Sequence, residues 1–224
     1  MCGRFNLFTS VEIIMDEFNI EKVLFKGPPS YNISPGRDVA SIHYEEGRVL
    51  SPMRWGLIPS WAKDPSIGYR MINARAETLD EKNSFKIPFR RRRCLIPADG
   101  FYEWKAHGRM KIPYHIRMAD RKPFTMAGLY DVWRSPDGAD VRSCTIITTD
   151  ANETIREIHD RMPAIIPRGD HSLWLDPEMR DVGQLRSLLS PYDPSEIEAY
   201  EVAQLVNSPS NDSEELVEPL KRWF

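Results

Sequence analysis

The chain has 224 residues, a formal net charge of −3, 41% hydrophobic residues and 28% charged residues. That is an ordinary globular composition with ample material for a buried core. No apolar run approaches the roughly 18 residues a membrane helix needs. The N-terminal stretch lacks a basic segment followed by an apolar one, so no secretory signal is read and the expected location is the cytoplasm. Three cysteines, Cys2, Cys94 and Cys144, are an odd number with no CxxC or Cys/His ligand spacing. They argue for a reducing compartment and against a disulfide framework or a metal site. No cofactor is expected.

In chain order, "SVEIIMDEFNI" (10–20) places Val11, Ile14, Met15 and Phe18 at helical spacing behind a Ser N-cap. "GPPS" and "YNISPG" follow as turn chemistry. Short apolar or alternating runs then predict strands at "VASIHYE", "VLSPMRWGLI", "RRCLIPA", "YHIRM", "FTMAGLYDVW" and "SCTIITT". Cys94 and Cys144 fall inside two of these runs and read as buried strand residues. "DANETIREIH" (150–159) predicts a helix capped by Asp150 or Asn152, with His159 at its C-terminus. "HSLWLD" and "VGQLRSLLS" predict two short helices, and "EIEAYEV" a late strand. Many strands, few helices and no alternating βαβ pattern predict a β-rich α+β domain. Its sheets should be mainly antiparallel, with a barrel- or sandwich-like core. No linker divides the chain, so residues 1–224 read as one domain, with the acidic stretch 207–224 peripheral and partly mobile.

Charge is unevenly distributed. Lys86–Arg117 holds nine Lys/Arg against two acids, whereas Asp176–Phe224 holds eleven acids against four bases. A mildly acidic protein can therefore present one basic face suited to phosphates. The run Arg90–Arg93 reads either as part of that face or as a solvated loop or strand end.

Five stretches put polar residues inside structural context: "CGRF" (2–5), "SYNISPG" (30–36), "INARAET" (72–78), "ADGFYEW" (98–104) and "IHDRMP" (158–163). Loss of Met1 would leave Cys2 with a free α-amine and a thiol on adjacent carbons. Such a 1,2-aminothiol condenses with an aldehyde to an imine and then closes a thiazolidine. The two groups have ordinary pKa values of roughly 8 and 8.5, so both react near neutrality. Asn73, Arg75 and Glu77 alternate with alanines, so in a strand their side chains share one face. That face is a site lining or simply a wet strand surface. Glu103, flanked by Tyr102 and Trp104, reads as a partly desolvated carboxyl with a raised pKa, or as an outward residue of an alternating strand. His159 precedes Asp160, which would orient the ring, and a helix end would favour imidazolium. In "RWGLIPSWAKD", Trp61 with Arg54 and Lys63 suits stacking on single-stranded bases, while Trp55 suits a core.

In this order and spacing, "MCGRF", "YNISPG", "RWGLIPSW", "INARAET", "ADGFYEW", "FTMAGLYD", "TTDAN" and "IHDRMP" resemble the SOS-response-associated peptidase (SRAP) family over nearly the whole chain. That family includes abasic-site-processing proteins. The resemblance implies that Cys2, Asn73, Glu103 and His159 are the catalytic positions. It also implies that the substrate is an abasic site in single-stranded DNA, whose open sugar is an aldehyde. The implied product is a covalent thiazolidine crosslink at Cys2 after Met1 removal. In these roles Glu103 opens the sugar ring and shuttles protons, His159 donates a proton toward the ring oxygen, and Asn73 holds the open sugar or the amine. Lyase activity is a further activity the resemblance allows, and Met1 would leave either by self-removal or through a host aminopeptidase, two routes that the sequence does not distinguish. Arg4, Arg75, Asn32, Pro35, Trp61, Arg90 and Arg91 are the expected DNA contacts, with the protein acting as a monomer and needing no protein partner or membrane. One departure is that "SWAKD" has a single tryptophan where bacterial relatives can carry two.

Two other readings compete. "MCG" also begins glutamine amidotransferases that use an N-terminal cysteine, but no downstream Asn-Gly loop of their kind follows. A non-catalytic nucleic-acid-binding module would use the arginines and tryptophans and leave Cys2 incidental.

Overall fold

The computed structural model describes residues 2–220. Met1, whose removal the aminothiol reading requires, and the last four residues of the acidic C-terminal stretch lie outside the described residues. Among the described residues thirteen strands run in chain order: β1 (Phe5–Leu7), β2 (Lys22–Val23), β3 (Ser30–Ile33), β4 (Asp38–Tyr44), β5 (Arg48–Trp55), β6 (Asn73–Arg75) and β7 (Arg93–Ala98). These are followed by β8 (Gly100–His107), β9 (Met110–Met118), β10 (Phe124–Arg134), β11 (Asp140–Asp150), β12 (Arg161–Pro163) and β13 (Ile197–Glu201). The α-helices are short: α1 (Val11–Phe18), α2 (Asn83–Arg91), α3 (Glu153–Arg156), α4 (His171–Leu175) and α5 (Val182–Ser187).

The fold is β-rich α+β with mainly antiparallel pairing. The antiparallel pairs β5–β4, β4–β7, β7–β10 and β10–β11 form an open ribbon. A parallel contact, Ser143 with Arg54 and Cys144 with Trp55, joins β11 back to β5 and closes five strands into a barrel. Closure removes the exposed strand edges that would otherwise template aggregation. Cys94, Ile96, Met126 and Cys144, all fully buried, fill the barrel interior, where Ser41 Oγ lies 3.9 Å from Cys144 Sγ, while Ile42, Leu50, Leu95 and Leu129 are buried on its outer face. At Gly128 an added Cβ would lie 2.8 Å from the Cys94 sulfur, so glycine is needed where β10 crosses β7. A second sheet, ordered β13–β9–β8–β1–β3, packs beside the barrel. No helix of the described chain is long and apolar enough to cross a membrane.

Helix α1 starts where expected, with the Ser10 side chain accepting from the Ile13 amide. Helix α2 departs from the sequence reading, because Pro88 sits inside it. It splits the arginine run into unlike parts. Arg90 and Arg91 are exposed in its last turn. Arg92 pairs with Asp131. Arg93 is buried, donating to the carbonyls of Trp174 at 2.7 Å and Phe89 at 2.8 Å. The expected helix over 150–159 is a single turn that ends at Arg156, capped by Asn152, whose side chain accepts from the Ile155 amide at 3.0 Å.

The acidic C-terminal stretch up to residue 220 is held against the second sheet. Val206 and Leu216 are fully buried there, and Asp212 accepts from Ser30 Oγ at 2.8 Å and from the Tyr31 amide. Asp212 thus occupies part of the free edge of β3.

Candidate active site

The site lies where the N-terminus of β1 meets the splayed end of β11. Strand β1 sits between β3 and β8, with Phe5 opposite both Ile33 and Phe101. The Tyr102 amide donates to the Arg4 carbonyl at 2.9 Å, which brings the residues before β1 alongside Glu103. Asp99 fixes the other end of β1: its carboxylate accepts from the Phe8 amide at 2.6 Å, from the Thr9 amide at 2.7 Å and from the Thr9 hydroxyl. Gly100 is required beside it, because a Cβ there would fall 2.2 Å from His115 Nε2. At the far end of β11, the parallel β6 sets Asn73 opposite Ile146, and the antiparallel β12 sets Arg161 opposite Asp150.

Cys2 is fully buried. Asn73 Nδ2 donates to the Cys2 carbonyl at 2.8 Å, while Asn73 Oδ1 is buried with no hydrogen-bond partner among the described residues. Burial, with the nearby Glu103 charge adding to it, pushes the Cys2 thiol well above its ordinary pKa. A hydrogen bond from the Arg4 amide acts in the opposite direction. Glu103 is 3% exposed, and burial raises its carboxyl to about 7. Both strand faces are covered here: Tyr102, pointing the other way, is also fully buried, with its hydroxyl on the Tyr31 carbonyl at 2.7 Å. Among the described residues no cluster of three His, Cys, Asp or Glu side chains is placed to hold a metal ion.

His159 sits in the loop after α3, three residues past the helix end, rather than at a helix C-terminus. Its Nδ1 lies 3.0 Å from the Arg161 amide, which donates to it when the neutral ring carries its proton on Nε2. Asp160 Oδ1 lies 2.8 Å from the same Nδ1. Burial lowers the pKa of His159, which reverses the expectation of a stabilised imidazolium: the helix end that was to favour the cation is not there. The loop is anchored by Arg161, whose guanidinium binds Glu77 through two bonds of 2.8 and 3.0 Å, Asp150 at 2.6 Å and the Thr148 carbonyl at 2.7 Å.

The "INARAET" stretch is not one polar strand face. β6 ends at Arg75 and a 3-10 turn covers Ala76–Thr78, so Asn73 faces the site, Arg75 is exposed, and Glu77 turns to Arg161. The pairing of Glu77 with Arg161 escapes sequence reasoning because nothing local in either stretch signals the other.

The expected DNA contacts separate into two groups. Arg75, Arg90, Arg91 and Trp61 are exposed, Trp61 to 59%, and Pro35 is half-buried in the turn after β3. Asn32 must be corrected. It is fully buried, its Nδ2 donates to the carbonyls of Ser208 at 3.0 Å and Asn211 at 2.7 Å, and its Oδ1 accepts from Arg4 Nη1 at 2.7 Å. Its amide is spent on holding the C-terminal stretch. Arg4, half-buried, also donates to the Val206 carbonyl at 3.0 Å and lies over the Trp104 ring. Tyr69, not singled out from sequence, is 65% exposed on the same loop as Trp61, with the Arg54 guanidinium 5.7 Å from its ring centroid. That loop is pinned where Gly56, at φ +125°, crosses Gly68: a Cβ on Gly56 would meet the Gly68 carbonyl at 2.7 Å.

The family model described as SOS response associated peptidase (SRAP) matches residues 1–209. The chain belongs to the SRAP family. Among curated SRAP-like relatives, the abasic site processing protein YoqW of Bacillus subtilis is 50% identical over 97% of this chain and 99% of its own. The abasic site processing protein HMCES of Xenopus tropicalis is 36% identical over 85% of this chain and 66% of its own. A crystal structure of a protein from Bacteroides thetaiotaomicron superposes with a TM-score of 0.90 at 28% identity, covering 98% of this chain and all of that one.

Proposed function

We propose that this protein captures abasic sites in single-stranded DNA by forming a thiazolidine between Cys2 and C1′ of the open sugar. The observation that carries the reading is the placement of Cys2. It is fully buried, with its carbonyl held by Asn73, beside a carboxyl that titrates at about 7. Relatives named for abasic-site processing support it over nearly the whole chain.

Once Met1 is gone, the α-amine of Cys2 attacks the aldehyde carbon, and loss of water gives an imine. The Cys2 sulfur then adds to the same carbon, its proton passes to the former imine nitrogen, and a five-membered ring closes. Because the thiol is held protonated near neutrality, that transfer needs an acceptor, and the Glu103 carboxylate is the one at hand. A carboxyl with a pKa of about 7 is present in both forms at neutral pH, so it also gives a proton to open the sugar ring. The neutral His159, with its proton on Nε2, is the second donor toward the ring oxygen. Asn73 Oδ1, buried without a partner, accepts from the amine or the sugar and holds the near-attack geometry.

Trp61 and Tyr69 stack on unpaired bases flanking the lesion, and Arg75, Arg90 and Arg91 contact phosphates. The protein acts as a monomer in the cytoplasm, on DNA. From the imine stage, proton abstraction next to the former aldehyde carbon would cleave the strand, which is the lyase activity. Self-removal of Met1 would make the protein a peptidase acting once on itself.

Denaturing electrophoresis with a single strand carrying one abasic site tests the proposal. The expected result is a shifted band with the wild type and abasic DNA. No band is expected with intact DNA, nor with Cys2→Ser, which keeps the amine but loses the sulfur. No band under denaturing conditions, with equal retention of both DNAs on a native gel unchanged by Cys2→Ser, would instead support the non-catalytic binding module.

A further inference from the structure

The strand face that carries Glu103 continues beyond the site. In the β8–β9 register Glu103 lies opposite Tyr114, Lys105 opposite Ile112, and His107 opposite Met110. Residues two apart on a strand share a face, as do residues directly opposite each other. Glu103, Lys105 and His107 therefore form one row, flanked by Tyr114, Ile112 and Met110. The row passes from a buried carboxyl to an exposed tip, where Met110 is 60% exposed. His107 lies four residue steps along the strand from Glu103, a run of about 13 Å.

Beyond Glu103 the charge of this hairpin has one sign. Between Lys105 and Arg117 there is no Asp or Glu, and the tip "KAHGRMK" carries Lys105, Arg109 and Lys111. Among the described residues, the side chains of Arg109 and Lys111 are exposed and make no hydrogen bond or ion pair. The hairpin is also tied to the site: Lys105 Nζ lies 3.8 Å from Glu157 Oε2, two residues before His159. Lys111, opposite Ala106, leaves the strand on the other face from this row, yet at the exposed tip its positive charge still reaches His159, where it adds to burial in lowering the pKa. A large apolar side chain exposed among free cations suits a ligand that is both anionic and apolar. A polar protein surface would match only the charge.

We propose that the β8–β9 hairpin is a track for one flank of the single strand that leaves the captured sugar. Lys105 meets a phosphate next to the site, Arg109 and Lys111 meet phosphates farther out, and Met110 with Ile112 lies against the unstacked bases or sugars between them. The inference rests on the reading of the site as an abasic-sugar pocket. It adds a surface of fixed length and direction, separate from the Trp61–Tyr69 loop.

The test uses single strands carrying one abasic site, with either flank shortened stepwise, and two variants: Arg109→Glu/Lys111→Glu and Met110→Asp. On the full-length strand at low protein concentration, the charge-reversed variant should crosslink about 10-fold more slowly or worse. The dependence of its log rate on log salt should flatten by about 1.4, at roughly 0.7 for each phosphate of a single strand that the variant no longer neutralises. Met110→Asp should slow crosslinking severalfold. Both deficits should vanish when one particular flank is cut to a single nucleotide and persist when the other is cut. Wild-type rates for both variants on the full-length strand overturn the track. So does a deficit that is the same on every strand, which would mean a disturbed site. A wild type that crosslinks none of the strands overturns the functional reading itself and is thereby told apart.

Discussion

Replacing Glu103 with glutamine should stabilise the protein above neutral pH while removing its crosslinking activity. Burial holds the Glu103 carboxyl at a pKa of about 7, against 4.5 for the exposed group. The folded state therefore binds this proton more tightly than the unfolded chain does. Below pH 4.5 both states are protonated and the group costs nothing. As the pH rises toward 7 the unfolded chain ionises first, and stability falls until the folded carboxyl ionises as well. At about 1.4 kcal/mol per pH unit, the gap from 4.5 to about 7 amounts to at most about 3 kcal/mol lost by pH 8. Glutamine has nearly the same shape and no charge, so the variant escapes this loss. Urea unfolding of wild type and Glu103→Gln at intervals from pH 4.5 to 8 measures it, because every other titrating group is common to both curves. The expected difference grows with pH in favour of the variant. Parallel curves, or a difference favouring the wild type at pH 8, would refute the idea of a buried, strained carboxyl retained for chemistry.

Other expectations follow from the same geometry. Asn73→Ala removes the 2.8 Å bond to the Cys2 carbonyl, and single-turnover crosslinking should slow by about 10- to 100-fold, roughly 1.4–3 kcal/mol of alignment. Asp99→Ala strips three hydrogen bonds from the end of β1. It should lower stability by about 2–3 kcal/mol in urea unfolding, because the Phe8 and Thr9 amides lose their acceptor. Arg161→Leu removes the guanidinium that ties Glu77 and Asp150 to the His159 loop; a loss of about 2–4 kcal/mol is expected, with hydrogen exchange rising first over residues 157–161. Trp61→Ala, at a side chain 59% exposed, should change stability by less than about 0.5 kcal/mol. Its affinity for single strands should nevertheless weaken by about 1–3 kcal/mol in fluorescence anisotropy.

The features legible in the sequence are those that follow from local rules. The Ser10 cap, the long strands and the burial of Cys94 and Cys144 are set by periodicity and propensity, and the structure has them. Barrel closure is not legible in detail, since the contact of Arg54 and Trp55 with Ser143 and Cys144 joins strands distant in sequence and leaves no local trace. Alternation offers two options at Glu103 because it assumes one wet face, whereas β8 is covered on both sides there. Pro88 hides helix α2: it is the sixth of nine residues, past the first turn where a proline is tolerated, so the local pattern argues against a helix there. Asn32 resembles a turn residue with a free amide because its partners, the carbonyls of 208 and 211, come from the far end of the chain. His159 reads as a helix end because the apolar spacing of 150–159 continues past the point where the helix stops.

Whether the α-amine and thiol of Cys2 together hold the sugar decides the mechanism, and intact mass spectrometry of the gel-purified crosslink tests it most directly. The expected mass equals the protein without Met1 plus the DNA strand, less one water, unchanged by borohydride. Cys2→Ser should give a covalent product only when borohydride is present to reduce the imine. A crosslink that retains Met1, or one formed by Cys2→Ser without reductant and stable to denaturation, would contradict the mechanism.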